Sequence, residues 1–115
     1  MASTFKNAGI TVPVVDDATG NLYTTGASEQ AVIHALYISN KSTSASATVN
    51  VKVTTDGGST FYHIGKSLEV PPNNTLTLDK PVNLENNDII RVIADPNPDS
   101  SSVNVEAYAS ILELT

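Results

Sequence analysis

Alternating apolar and polar residues indicate a β-hairpin near the middle of the chain. In residues 49–54 every second residue is Val, the period of two that is typical of a strand with one buried face. An extended run resumes at residues 61–64. The intervening Asp56-Gly57-Gly58 contains residues that accept a positive φ at low cost, so the chain can reverse tightly there. The pattern predicts two antiparallel strands joined at this turn.

Other extended segments are separated by polar or proline-containing breaks. They are residues 10–15, 21–25, 31–39, 67–70, 75–79, 88–94 and 103–112. Short strands with turn signals about every ten residues predict an all-β fold, a sandwich or a small barrel. We favour an antiparallel β-sandwich of about 6–8 short strands with an extended N-terminal arm.

Residues 31–39 are apolar on both alternating faces. This pattern is typical of a central strand covered on each side, although an isolated run of this length is also compatible with a helix. The β-branched content and the polar break that follows favour a strand. Apolar residues of this and the other alternating segments form the predicted core: Leu36, Ile38, Val49, Val51, Val53, Leu76, Leu78, Val92, Val103, Val105 and Ile111.

The first part of the chain differs from the rest in the density of its pattern. We therefore divide it into an extended N-terminal arm or edge strand at residues 1–30 and a β-sandwich domain at residues 31–115. Pro13 lacks an N–H donor, which confines its segment to an edge or an arm. Two readings stay open: the segment packs in trans on a neighbouring subunit, or it adds a strand to its own sandwich. The predicted partner-binding residues are Ile10, Val12, Val14, Val15, Leu22 and Tyr23.

Composition and charge narrow the classes of partner. The 115 residues fit one domain, and six Lys and Arg against twelve Asp and Glu give a formal charge of −6. No basic cluster is present, so nucleic acid and anionic membranes are not expected as partners. There is no Cys, no signal-peptide pattern and no apolar span of membrane length. We expect a soluble protein made in the cytoplasm.

Two segments resemble known functional loops. Residues 54–61 resemble the Asp-box of sialidases, a hairpin turn that lies away from the catalytic centre and recurs along those chains. In this chain the motif occurs once. It therefore supports the predicted hairpin but does not indicate sialidase activity. A second segment has the spacing of an EF-hand calcium loop. Its oxygen-bearing residues are Asp95, Asn97, Asp99, Ser101 and Glu106.

Three features oppose calcium binding by that loop. Ser100 stands where the sharp turn requires Gly, Pro96 and Pro98 constrain the backbone, and the flanking segments are strands. We interpret the loop as a solvated turn and predict no metal and no cofactor.

Catalytic groups do not form a recognisable set. His34 and His63 are the only histidines, and neither has a Ser, Asp or Glu at a catalytic spacing. His34 lies in an apolar strand and is expected in the core or an interface, whereas His63 is expected to be exposed. We predict that the protein is not an enzyme.

Several motifs occur together from residue 31 onward. They are the apolar first strand with its Asn-Lys-Ser-Thr-Ser break, the hairpin with Thr-Thr-Asp-Gly-Gly-Ser-Thr-Phe-Tyr, the turn Val-Pro-Pro-Asn-Asn-Thr-Leu, the strand Asn-Asp-Ile-Ile-Arg-Val and the closing strand Val-Glu-Ala-Tyr-Ala-Ser-Ile-Leu-Glu-Leu. With them, residues 31–114 resemble a group of small β-sandwich virion proteins of tailed bacteriophages.

The resemblance implies a role without catalytic residues. It implies a capsid decoration or cement protein, made in the host cytoplasm, that binds the major capsid protein or another virion protein in multiple copies. On the outer surface of the assembled shell it would stabilise the particle. The alternatives are a neck, tail or fibre component, or a β module that binds carbohydrate or a host surface.

Overall fold

The computed structural model describes residues 3–94 and 104–115, which form two antiparallel β-sheets packed face to face. The all-β sandwich predicted from the sequence is confirmed. The strands in the described residues are β1 (Ser3–Thr11), β2 (Asn21–Thr24), β3 (Gln30–Asn40), β4 (Ala47–Thr54), β5 (Phe61–Val70), β6 (Asn74–Leu78), β7 (Val82–Leu84), β8 (Ile89–Ala94) and β9 (Val105–Leu114). A single 3₁₀ turn, Ala18–Gly20, precedes β2.

The two sheets differ in size and connection. Sheet A has the strand order β1-β9-β3-β6, and β7 pairs with β3 on the same side as β6. Sheet B has the order β2-β8-β4-β5. Strand β9 lies between β1 and β3, so it binds the first strand of the chain to the rest of sheet A.

The predicted hairpin is confirmed as β4 and β5. Gly57 and Gly58 have φ values of 79° and 112°, which a residue with a side chain rarely adopts. The Asp56 carboxylate accepts hydrogen bonds from the backbone N–H of Ser59 (3.1 Å) and Thr60 (2.9 Å). These bonds, the one from Thr60 above all, lower the pKa of Asp56, and they close the turn from inside.

A β-bulge in β3 decides which of its residues enter the core. The pairing with β9 shifts register between Ile33 and Ala35, so His34 is an extra residue in the strand. Ala31 and Ile33 before the bulge and Leu36 after it all point inward, although strict alternation would place Leu36 on the opposite face. The bulge thus accounts for apolar residues at both odd and even positions.

Two expectations about β3 are corrected by this geometry. The strand is central in its sheet, but the described residues cover only its inner face, and Tyr37 on the other face is 39% exposed. The bulge also turns His34 outward, so His34 is exposed and does not belong to the core. His63 is exposed as predicted.

The hydrophobic core lies between the sheets and contains most of the predicted residues. Leu36, Ile38, Val49, Val51, Val92, Val105 and Ile111 are buried, and Val53, Leu76 and Leu78 are partly buried against them. Val103 lies outside the described residues. The prediction missed Val12, Leu22, Ile33, Val70, Leu84 and Ile90, which are also buried.

The first strand differs from its prediction in position. The sequence predicts an extended segment at residues 10–15, whereas β1 spans Ser3–Thr11. It is an edge strand with both faces largely exposed, so its sequence has no apolar period to reveal it. The short strand β7 was not predicted, because its three residues are fewer than a periodic pattern needs.

Truncation of a fully buried core side chain should strongly destabilise the fold. We expect Ile38→Ala to lower the free energy of unfolding by about 2–5 kcal/mol, because the cavity would lie between two packed sheets. Urea unfolding monitored by circular dichroism measures this change. Ile64→Ala is the matched control, since Ile64 is 42% exposed, and it should cost no more than about 1 kcal/mol. Equal losses in the two variants would contradict the assignment of the core.

Candidate interaction surface

The six residues predicted to bind a partner do not lie on one surface. Val12 and Leu22 are buried in the core, and Ile10 and Tyr23 are partly buried against it. Val14 is half-buried and Val15 is 58% exposed. Most of the apolar side chains that were predicted to bind a partner therefore pack in or against the core of their own chain. Whether any of these residues contacts one stays a prediction.

The segment that follows β1 connects the two sheets. Val12 donates its N–H to the carbonyl of Val105 in sheet A (2.8 Å), and the carbonyl of Pro13 accepts from Ala94 N–H in sheet B (2.9 Å). Pro13 has no N–H of its own to satisfy at this crossing. The crossing directs Val12 into the core between the sheets.

A buried carboxylate joins β1 and β2 to β9. Glu113 has a side chain only 6% exposed, and it accepts a hydrogen bond from the Tyr23 hydroxyl at 2.5 Å. Its other oxygen lies 3.1 Å from the Lys6 ammonium. The Tyr23 bond first, and then Lys6, lower the pKa of Glu113. Burial and the same carboxylate raise the pKa of Tyr23.

The outer face of sheet A, the side that points away from sheet B, carries the large exposed apolar residues of that sheet. Phe5, Leu112 and Val32 form one row across β1, β9 and β3. Tyr108 and Tyr37 form a second row, with ring centroids 6.2 Å apart and planes tilted by 41°. Phe5 is 83% exposed and Tyr108 is 45% exposed. The face therefore offers aromatic anchors on a rigid sheet.

A shallow cavity of about 410 Å³ lies beside the two tyrosines. Gly9 pairs with Tyr108, and the absence of a side chain there leaves space over the sheet. Polar groups line the far end, where Glu106 lies 3.2 Å from the Lys41 ammonium and Ser39 bonds Thr75 at 2.9 Å. The outer face thus changes from apolar to polar along its length.

The outer face of sheet B is different, because its central charges are paired within the chain. The Asp16 carboxylate binds the ammonium of Lys52 and, at 3.1 Å, the guanidinium of Arg91. The hydrogen bond from Lys52 is the main cause of the lowered pKa of Asp16. Both cations lie over the Phe61 ring, and Arg91 also donates to the Asn21 side chain at 2.8 Å. This cluster holds the loop before β2 against sheet B.

Sequence reasoning missed Phe5, Tyr37 and Tyr108 as surface residues. The signal for Tyr37 was present in the apolar residues on both faces of residues 31–39. The alternation of β9 places Tyr108 opposite to its buried neighbours Ala107 and Ala109. Nothing in the sequence of β1 distinguished an exposed Phe5 from a buried one.

Metal sites and membrane-spanning helices are absent from the part of the chain that the structure describes. No group of three or more His, Asp or Glu side chains there could hold a metal ion. Within the same residues, no helix is long and apolar enough to cross a membrane. Most of the calcium-loop candidate lies outside them, and the one member described with its contacts, Glu106, pairs with Lys41.

Comparison with known proteins identifies the fold. No protein-family model and no curated protein matches the sequence. A chain in the acidic stable capsid structure of Helicobacter pylori bacteriophage KHP30 matches with a TM-score of 0.53 and 13% identity, over 100% of this chain and 89% of that one. A chain in the crystal structure of the T13 IBDV viral particle matches with a TM-score of 0.51 and 7% identity, over 96% of this chain and 30% of that one. At these identities the likeness establishes the fold alone.

Loss of the Glu113 charge should destabilise the protein in a pH-dependent way. In Glu113→Gln an oxygen remains for the Tyr23 hydroxyl, but Lys6 loses its counter-ion. Because the folded-state pKa is lowered, the carboxylate stabilises the fold above the unfolded-state pKa, and this contribution is lost as pH falls through the folded-state value. Urea unfolding should show a less stable variant near neutral pH and a difference that narrows in acid.

Glu106→Gln provides the control on the same strand. Its ion pair with Lys41 is about half exposed on both sides, so its removal should cost no more than about 1 kcal/mol. A Glu113→Gln deficit that persists unchanged below the folded-state pKa would contradict the electrostatic role of this carboxylate.

Proposed function

We propose that the chain is a non-enzymatic virion structural protein of a bacteriophage, and specifically a capsid decoration protein. It binds the outer surface of the assembled shell through the outer face of sheet A and stabilises the shell. The observation that carries the proposal is that face, where Phe5, Tyr37 and Tyr108 lie uncovered on a rigid sheet. Exposed aromatic residues of this kind are frequent anchors of protein interfaces.

The fold comparison supports the general part of this proposal, a virion structural role. The match to a chain of the KHP30 capsid structure spans this chain completely and most of the other chain, so the two have similar size as well as the same fold. The match to a chain in the IBDV viral particle structure covers 96% of this chain and 30% of that one. A virion structural role agrees with both likenesses.

The charge of the protein supports a position on the outside of a shell. A formal charge of −6 opposes contact with packaged nucleic acid, whose phosphates attract Lys and Arg. Within the described residues, the most buried cations, Lys52 and Arg91, are already paired with Asp16. The outer face of sheet A carries few charges, so docking on a shell protein would require little desolvation of charge.

The location of the protein is tested on purified particles of the virus that carries its gene. Mass spectrometry should find the chain in the particles, and electron microscopy should show density of its size in many copies on the shell. Density confined to the neck, tail or fibres would overturn the decoration role and leave a virion role. Absence of the chain from the particles would overturn both.

The proposed docking face is tested with substitutions. The double variant Tyr37→Ser, Tyr108→Ser should bind particles lacking the chain at least about tenfold more weakly than wild type, because aromatic anchors contribute strongly to interfaces. Tyr62→Ser on β5 of sheet B is the matched control, since Tyr62 is 57% exposed, and it should bind normally. Both proteins should melt close to wild type. Unchanged binding by the double variant would exclude this face.

A further inference from the structure

Strand β1 forms an open edge of sheet A. Its nine residues pair with β9 without a register shift, and no other described strand pairs with its second side. The hydrogen bond from Val12 N–H to the Val105 carbonyl shows which alternate residues of β1 direct their backbone groups toward β9. By the alternation of antiparallel pairing, Phe5, Asn7 and Gly9 direct their N–H and C=O groups away from β9. With respect to residues 3–94 and 104–115, these backbone groups are available to another strand.

The other edge strands are short or carry register shifts that hinder pairing, whereas β1 is long and regular. Strand β5 has two register shifts against β4, and its Ser67 has a φ of 53°. Strand β2 has four residues and a register shift, and β6 and β7 have five and three residues. Strand β1 is regular and has no Pro, and its one charged residue, Lys6, is held by Glu113. Lys6 is therefore the one protective feature of this edge, and Glu113 compensates its charge; a long regular edge of this kind is a template for strand addition.

We propose that β1 pairs antiparallel with β1 of a second copy of this chain, about a two-fold axis at Asn7. In this register the two Asn7 residues face each other, and Phe5 of each copy faces Gly9 of the other. Every outward backbone group from Ser3 to Thr11 then meets an outward group, giving up to about ten hydrogen bonds. The two copies form one continuous sheet.

Charge disfavours one neighbouring symmetric register, and strand length favours the axis at Asn7 over the others. An axis at Lys6 would place the two ammonium groups directly opposite each other, which is unfavourable in a sheet. An axis at Asn7 places Lys6 opposite Ala8 and leaves each Lys6 beside its own Glu113. It is also the register that uses all nine residues of the strand.

The side chains on the outer face agree with the same register. Phe5 is 83% exposed in the single chain and has no cover there. Opposite Gly9 of the second copy, its ring would lie over a backbone without a side chain, an arrangement that protects glycine in a strand. The pairing would also join the outer faces of two copies into one wider surface.

The association in solution should be weak. An edge of nine residues buries less than the roughly 1,200 Å² of a standard interface, so we expect dimers at about 0.1–1 mM protein. Sedimentation equilibrium should show concentration-dependent dimers that strengthen with added salt, because each copy has a formal charge of −6. These measurements need no virus particle, so they are independent of the proposed function.

Asn7→Pro tests the role of the backbone. The variant lacks the outward N–H at the axis, but the ladder to β9 does not use this N–H, so the monomer should keep its fold. The dimer dissociation constant should rise at least about tenfold. Asn7→Ala keeps the N–H and is the control, and it should associate like wild type.

Cysteine trapping tests the register and does not depend on the proline variant. The chain has no Cys, so Asn7→Cys introduces one thiol per copy. Facing residues at this pairing have Cα atoms about 5.5 Å apart, within the range of a disulfide. Thr4→Cys is the control, because its two thiols would lie about 20 Å apart along the strands. Mild oxidation should give a covalent dimer of the first variant and little of the second.

Two results would overturn the proposal. One is a wild-type protein that stays monomeric at 1 mM while the two cysteine variants cross-link equally slowly. The other is a monomeric protein in which Asn7→Pro loses binding to virus particles, since the edge would then receive a strand of another virion protein.

Discussion

The pairing of β9 with β1 on one side and β3 on the other holds sheet A together. All nine residues of β1 and ten of β3 find their Cα partners on this one strand. The alternation of β9 then separates the inner residues from the outer ones, so Ala107 and Ala109 lie in the core and Tyr108 lies on the surface. The small residues of this stretch lie in the core, and the large residue between them is directed outward.

The same strand connects the inside of the sandwich to its edge. Glu113 is directed inward from β9, yet it carries a charge that Lys6 of β1 and the hydroxyl of Tyr23 satisfy. A buried carboxylate is tolerated where several donors reach it. The N-terminal strand is therefore attached by an ion pair and a backbone ladder, with little apolar burial of its own except at its end.

The outer faces of the two sheets differ in character. In sheet B the central charges Lys52 and Arg91 are already paired with Asp16. Sheet A combines an exposed aromatic outer face, formed by β1, β9 and β3, with a long regular edge at β1. A contact with a shell and a contact with a second copy would therefore use different directions of one sheet and could exist together.

Much of this fold could be predicted from the sequence, because most strands have a recognisable local pattern of apolar and polar residues. The hairpin needed only the valine alternation and the two glycines, and residues such as Val51 and Ile111 were correctly placed in the core. The bulge at His34 could not be seen, because one extra residue leaves no mark in a run that is apolar throughout.

The candidate surface was harder to predict than the fold. Val12 and Leu22 are apolar whether they bind a partner or fill the core. Only the path of the chain decides between these two positions. The exposure of Phe5 depends on β1 being an edge, which is a property of the whole sheet. A local sequence pattern carries no information on such properties, because they depend on residues that are distant in sequence.

The central position of β9 also constrains the order in which the chain can fold. Ser3 pairs with Leu114, so the first strand has no partner in sheet A until almost the whole described sequence has left the ribosome. Closing such a long loop is entropically costly, and folds dominated by distant pairings form slowly. During synthesis the edges of β1 and β3 that pair with β9 would stay unpaired. The β4–β5 hairpin could form earlier, because its two strands are neighbours in sequence. Unpaired strand edges favour aggregation, so we expect the nascent chain to be vulnerable until β9 is available for pairing.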